Sequence, residues 1–90
     1  MTYEVYLTPF AQKQLEGIDK SERLSIAKKL VQLQRDEIGS RHLKFGLKFN
    51  VVEVGQYRIC FKVFEEKASK EVRFIGNHKE YEHWYKDARD

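Results

Sequence analysis

The sequence predicts an α+β fold: an N-terminal strand, a two-helix hairpin, antiparallel strands that complete a four-stranded sheet, and a short C-terminal helix. Three observations predict it. Apolar residues alternate with polar ones near the start and again from 57 to 64, the period of a strand. Between 9 and 35, and again from 80 to 89, they recur every three or four positions, the period of a helix. Gly55-Gln56 and the polar run 66–70 separate the later strands as turns do.

Tyr3, Val5 and Leu7 alternate with Glu4 and Thr8, which suits a strand with one buried face. Thr8-Pro9 then reads as a helix start, because threonine caps and proline is tolerated in the first turn. Ala11, Leu15 and Ile18 mark the inner face of that helix, and Gly17 weakens its end. Asp19-Lys20-Ser21-Glu22 has the form of a capping box with either Asp19 or Ser21 as the cap. Behind it Ile26, Ala27, Leu30, Val31 and Leu33 form an apolar stripe, with Lys28, Lys29, Gln32 and Arg35 facing away; Gly39-Ser40 ends the pattern.

After a basic connector come three strands. Leu47, Phe49, Val51, Val52 and Val54 make the first apolar on both sides, as near the middle of a sheet. Beyond Gly55-Gln56, one face carries Tyr57, Ile59, Phe61 and Val63 and the other Arg58, Cys60, Lys62 and Phe64. The last strand, 71–76, places Val72 and Phe74 on one side and Arg73 and Ile75 on the other. Tyr81, Trp84, Tyr85 and Ala88 then share one face of the final helix.

At 90 residues, 41% hydrophobic and 34% charged, the chain is expected to form a single domain over 1–90, too apolar for a disordered chain. The lone Cys60 has no internal partner for a disulfide, which fits a reducing, cytoplasmic setting. The first ten residues lack the basic start and long apolar stretch of a signal peptide. No segment approaches the roughly 18 apolar residues of a membrane span.

Net charge is +3, but its distribution is uneven. Up to Ser40 cations and anions balance; from 41 to 64, Arg41, Lys44, Lys48, Arg58 and Lys62 face Glu53 alone. A polyanion-binding surface is therefore expected in the middle of the chain, the alternative being a solvated, lysine-rich sheet face. His78 and His83 stand five apart with no cysteine or acidic partner at a metal spacing, so neither a metal nor another cofactor is expected. No phosphate-cradling glycine loop or serine nucleophile motif is present, and Cys60 lies mid-strand, a poor place for a reactive thiolate.

Three local words, Thr8-Pro9-Phe10-Ala11, Val54-Gly55-Gln56-Tyr57-Arg58-Ile59 and Val72-Arg73-Phe74-Ile75-Gly76-Asn77-His78-Lys79-Glu80-Tyr81, together with the element order, resemble the RelE/ParE toxin superfamily across essentially the whole chain. The ending is similar to its HigB branch. The resemblance implies the toxin of a toxin–antitoxin pair. Its RelE and HigB branches are endoribonucleases that cut messenger RNA on the ribosome without metal, by attack of a ribose 2′-hydroxyl, and are held inactive by a cognate antitoxin. The ParE type poisons DNA gyrase and cuts nothing, so a non-cleaving inhibitor or binding module is the alternative.

Carried over residue by residue, the resemblance implies that Arg58 balances charge on the phosphorane, since its guanidinium keeps its proton at any ordinary pH. His78 would serve as base or acid. Lys79 would stand in for an arginine of the RelE branch, and Tyr81 or Tyr85 would carry a proton or stack on a base, although Tyr81, Trp84 and Tyr85 equally suit packing of the last helix on the sheet. Arg41, Lys44, Lys48, Lys62 and Arg73 would contact the RNA backbone. His83 is expected to face solvent. The sequence departs from the RelE branch in lacking lysines at Phe49-Asn50-Val51, just before the glycine turn.

Overall fold

A computed structural model describes residues 2–35, 41–42 and 49–87. Leu47, Lys44, Lys48, Gly39-Ser40 and Ala88, all named above, lie outside the described residues. The elements are β1 (Glu4–Leu7), α1 (Pro9–Glu16), α2 (Lys20–Gln32), β2 (Arg41–His42), β3 (Asn50–Val54), β4 (Tyr57–Phe64), a 3-10 turn (Glu65–Lys67), β5 (Ser69–Asn77) and α3 (His78–Asp87). The predicted order holds. β4 pairs antiparallel with both β3 and β5, β1 joins β5 in parallel, and the two-residue β2 adds an antiparallel edge beside β3, giving the order β1-β5-β4-β3-β2. The sheet is thus mixed, because β1 and β5 are joined through the helical hairpin and the central strands rather than by a turn.

Thr8 caps α1 as expected, its hydroxyl accepting from the Ala11 N–H at 3.2 Å with Pro9 behind it. The capping box predicted at Asp19 does not form. Asp19 occupies the cap position without a side-chain cap bond, and the Glu22 carboxylate raises the pKa of the nearby Tyr57 hydroxyl. The buried stripe of α2 is narrower than the one expected. Ile26 and Leu33 are buried and Leu30 partly so, while Val31 is 64% and Leu24 56% exposed.

The helical hairpin covers one sheet face. There Ile26, Leu33, Ile59, Phe61, Val72 and Ile75 form the larger core, with Leu15, Ile18, Val54 and Val63 packed around it. At about 25 cal/mol per Å² of apolar surface removed from water, this face carries most of the driving force for folding. β1 ends opposite Val72, so the Ile75 N–H lies beyond its reach; the Gln14 side-chain oxygen of α1 accepts it at 2.9 Å. On the opposite face Val51, Cys60 and Phe74 form a smaller cluster under Tyr81 and Trp84 of α3.

A bulge in β5 separates the two faces in a way that strict alternation does not predict. Cys60 pairs with Phe74 and Phe61 with Val72, which leaves Arg73 as the extra residue. Val72 and Ile75 therefore both enter the hairpin-side core, and Phe74 turns alone towards α3. The predicted grouping of Val72 with Phe74 is corrected accordingly. The loop after β4 is also shorter than 66–70, since pairing runs to Phe64↔Ser69 and Ala68 makes the turn in the left-handed region at φ 49°. Lys70 is no loop residue: it is 4% exposed, donates to the Arg35 carbonyl at 2.8 Å and lies 4.6 Å from the Tyr3 ring centre.

Burial pushes the Cys60 thiol up to about 12, the nearby Arg58 charge pulling only weakly the other way. Tyr57 is likewise pushed up to about 12, first by its hydrogen bond to Glu22, then by burial. Both folded values exceed the ordinary 9.0 and 10.0, so both contributions are intact below those values and are lost as pH climbs towards about 12. An alkylating reagent at about pH 8 is expected to leave Cys60 unmodified in the folded protein and to modify it fully in denaturant. Rapid labelling of the native form, followed by mass spectrometry, would contradict its placement.

Candidate active site

The β3–β4 turn and the start of α3 meet at one end of the sheet. Gly55 has φ +58° and Gln56 does not have a positive φ, the pattern of a two-residue II′ hairpin turn. The turn pairs Val54 with Tyr57 and so sets Glu53 directly across from Arg58. On its other side Arg58 pairs with Gly76 of β5. Gly76 is required by close approach: a Cβ there would stand 2.6 Å from Cζ of Phe74 and 3.0 Å from a Glu80 carboxylate oxygen.

A reciprocal capping box starts α3. The Asn77 side-chain oxygen accepts from the Glu80 N–H at 2.8 Å, and the Glu80 carboxylate accepts from the Asn77 N–H at 2.9 Å. The His78 N–H donates to the Gln56 carbonyl at 3.1 Å, tying the helix start to the hairpin turn. These bonds fix the backbone under His78 before its side chain makes any contact.

Arg58 and His78 converge. Nη2 of Arg58 lies 3.4 Å from Nδ1 of His78 and 3.8 Å from a Glu53 carboxylate oxygen, and Nη1 lies 3.4 Å from the Tyr57 carbonyl. On its far side the imidazole places Nε2 2.9 Å from Oε1 of Glu82, one helical turn along. Arg58 is largely sunk, with 16% of its side chain exposed, whereas His78 is 58% exposed. An open cleft of about 540 Å³ lies over the pair, lined by Gly55, Gln56, Arg58, Asn77, His78 and Lys79. Its charged lining is wholly cationic, which suits an anion the size of a phosphodiester with its flanking sugars.

The other candidates are distributed around this point. Lys79 is exposed at the cleft rim. Tyr81 is half-buried, its ring 6.3 Å from both Phe74 and His78 and 5.2 Å from Tyr85. Trp84 stacks on Phe74 at 5.0 Å and meets Phe49 at 5.3 Å, so it packs α3 on the sheet. Tyr85 sits a turn farther from the cleft, and His83 is exposed as expected. Lys62 shares the Arg58 face four residues along β4, roughly 13 Å away at strand rise. Arg73, the bulge residue, pairs with Glu71 at 2.6 Å and lies 5.6 Å from the Phe49 ring. Arg41 lies in β2.

Sequence reasoning overlooked Glu53, Glu82, Gly76 and the Asn77–Glu80 cap. The signals were present: a two-residue turn makes 53 and 58 cross-strand partners, 82 is 78 plus four, and Asn77 precedes Glu80 by three. Among the described residues no group of three His, Cys, Asp or Glu side chains is placed to hold a metal ion. Among them, too, no helix is long and apolar enough to cross a membrane.

No family model matches the chain, and no curated protein does. Solved structures match along nearly its whole length. The toxin–antitoxin complex RelBE2 of Mycobacterium tuberculosis gives a TM-score of 0.79 at 15% identity over 87% of this chain and 100% of that one. A mutant of the Escherichia coli toxin RelE in the free state gives 0.77 at 22% identity over 94% of this chain and 93% of that one. The archaeal RelE-RelB complex of Pyrococcus horikoshii gives 0.70 at 15% identity over 86% and 96%. At these identities the likeness is one of fold.

Proposed function

We propose that this chain, whose fold is that of the RelE toxins, is the toxin of a toxin–antitoxin pair and an endoribonuclease that cuts messenger RNA on the ribosome. The observation that carries the reading is the approach of Arg58 to His78, 3.4 Å apart beneath an open cationic cleft. Cleavage of a ribose phosphodiester needs a base for the 2′-hydroxyl, a fixed cation for the charge gathering on phosphorus, and an acid for the leaving oxygen. The 2′-oxygen bonds to the adjacent phosphorus as His78 takes its proton. Arg58 offsets the added negative charge, and Lys79 or Tyr81 protonates the departing 5′-oxygen, leaving a cyclic phosphate and a free 5′-hydroxyl.

Lys62 and Arg73, with Arg41, Lys44 and Lys48 from the connector, hold the RNA backbone beyond the scissile bond. Tyr85, half-buried beside Tyr81, would stack on a flanking base, while Tyr81 both anchors α3 and borders His78. The ninety residues act as one domain in this reading. An antitoxin partner follows from the same fold likeness, because the M. tuberculosis and P. horikoshii structures are toxin–antitoxin complexes. Exposed Phe10, Leu24 and Val31 on α1 and α2 offer apolar surface for such a partner.

Primer extension on cellular messages after brief induction tests the reading. New 5′ ends within coding regions are expected. Intact messages accompanied by broken or supercoil-altered DNA would replace it with gyrase poisoning.

A further inference from the structure

We propose that Glu82 is a positioning residue that holds the His78 imidazole with its proton on Nε2, so that Nδ1, beside Arg58, is the atom that exchanges a proton with RNA. The inference rests on the ribonuclease reading and assigns the working atom within it. It follows from which groups can donate. Arg58 carries only N–H donors and keeps its charge, so the 3.4 Å contact from Nη2 is favourable only if Nδ1 presents a lone pair. A neutral imidazole with a bare Nδ1 must carry its proton on Nε2. That nitrogen lies 2.9 Å from the Glu82 carboxylate, which accepts the bond.

The helix makes the contact inevitable once α3 starts at His78. Residues 78 and 82 stand at i and i+4, on one side of the same turn, and the Asn77–Glu80 box sets where that turn begins. The groups facing the imidazole are Arg58 from β4, Glu82 and Lys79 from α3, and the Tyr81 ring at 6.3 Å; Glu53 from β3 lies 3.8 Å from Arg58. When Nδ1 takes the 2′-hydroxyl proton, the new oxygen–phosphorus bond uses the electron pair left on oxygen. The imidazolium then stands next to Arg58. The Nε2–H to Glu82 bond, now charge-assisted at both ends, offsets that like-charge contact.

The test uses the full chain and three variants: Glu82→Ala, His78→Ala and the double variant. Long-range ¹H–¹⁵N correlation spectra of free wild-type protein should show His78 protonated at Nε2 and bare at Nδ1, and Glu82→Ala should add the opposite tautomer. Cleavage should fall about 10- to 100-fold in kcat with KM for RNA unchanged, the usual range for removing an orienting partner. In the His78→Ala background the same change should cause no further loss, because Glu82 acts through His78. A further loss of equal size there, or a tautomer indifferent to Glu82, overturns the proposal. If no variant cleaves RNA at all while the spectra respond as described, the nuclease reading fails and the Glu82–His78 pairing stands.

Discussion

Arg58→Ala is expected to lower RNA cleavage by about 100- to 1000-fold, the range seen when one preorganised donor to a developing oxyanion is removed. The guanidinium is set on the strand by two neighbours, opposite Glu53 and opposite Gly76, and only 16% of its side chain meets solvent. In the proposed reaction it would meet a phosphate already oriented and partly stripped of water, where its charge is worth more than on an open surface. Its pairing with Glu53 at 3.8 Å is a long contact to a half-exposed carboxylate, worth at most about 1 kcal/mol, so a phosphodiester can take its place. The stability cost is correspondingly small: about 1 kcal/mol of stem packing and pairing, or a fall in melting temperature of roughly 4–8 °C. Single-turnover cleavage and a thermal melt on the same preparation separate the two effects. Growth arrest on induction should be relieved in parallel. Arg58→Lys keeps the charge without the planar fork and should fall between wild type and alanine.

Phe74→Ala is expected to have the largest effect on stability, about 3–5 kcal/mol. Phe74 is 1% exposed and is the residue that the bulge turns alone onto the α3 face. Trp84 stacks on it at 5.0 Å and Tyr81 approaches it at 6.3 Å, so the ring is the floor on which α3 rests. A domain of this kind has a total stability of roughly 5–15 kcal/mol, and a melting temperature lower by roughly 12 °C or more follows. Trp84 is the chain's only tryptophan, so its emission reports the docking of α3 directly. It should shift to the red in Phe74→Ala under conditions where the helical hairpin remains folded. Because His78 is the first residue of α3, activity should be lost with docking. A variant that keeps wild-type emission and melts within a few degrees of wild type would contradict this role.

Much of the architecture is legible in the residues because the physics that sets it is local. Thr8-Pro9 starts α1 where a cap and a proline dictate, and β4 alternates from Tyr57 to Val63 as its two faces require. Arg58 and His78 were both readable as candidates, and the structure brings them within 3.4 Å. What was not legible depends on pairing between distant residues. A bulge adds one residue without changing composition, so Arg73 hid the division of Val72 from Phe74. The parallel seating of β1 depends on the path of the hairpin rather than on β1 itself. Two segments had capping-box spacing, and the spacing alone does not choose between them: Asp19 makes no side-chain cap bond, while Glu80 and Asn77 bond reciprocally. Val31 belongs to a different case: at 3.6 residues per turn it stands about 140° round α2 from Ile26, so its outward place is local geometry that the broad stripe drawn from the sequence overran.

The most direct measurement is to incubate the purified chain with messenger RNA, with and without ribosomes and in the presence of a chelator, and to map the ends at nucleotide resolution. A base, a fixed guanidinium and an acid drawn from this chain's own side chains predict discrete cuts bearing cyclic phosphate and 5′-hydroxyl ends, abolished by Arg58→Ala. Uncut RNA under every condition, or cuts that persist unchanged without Arg58, would contradict it.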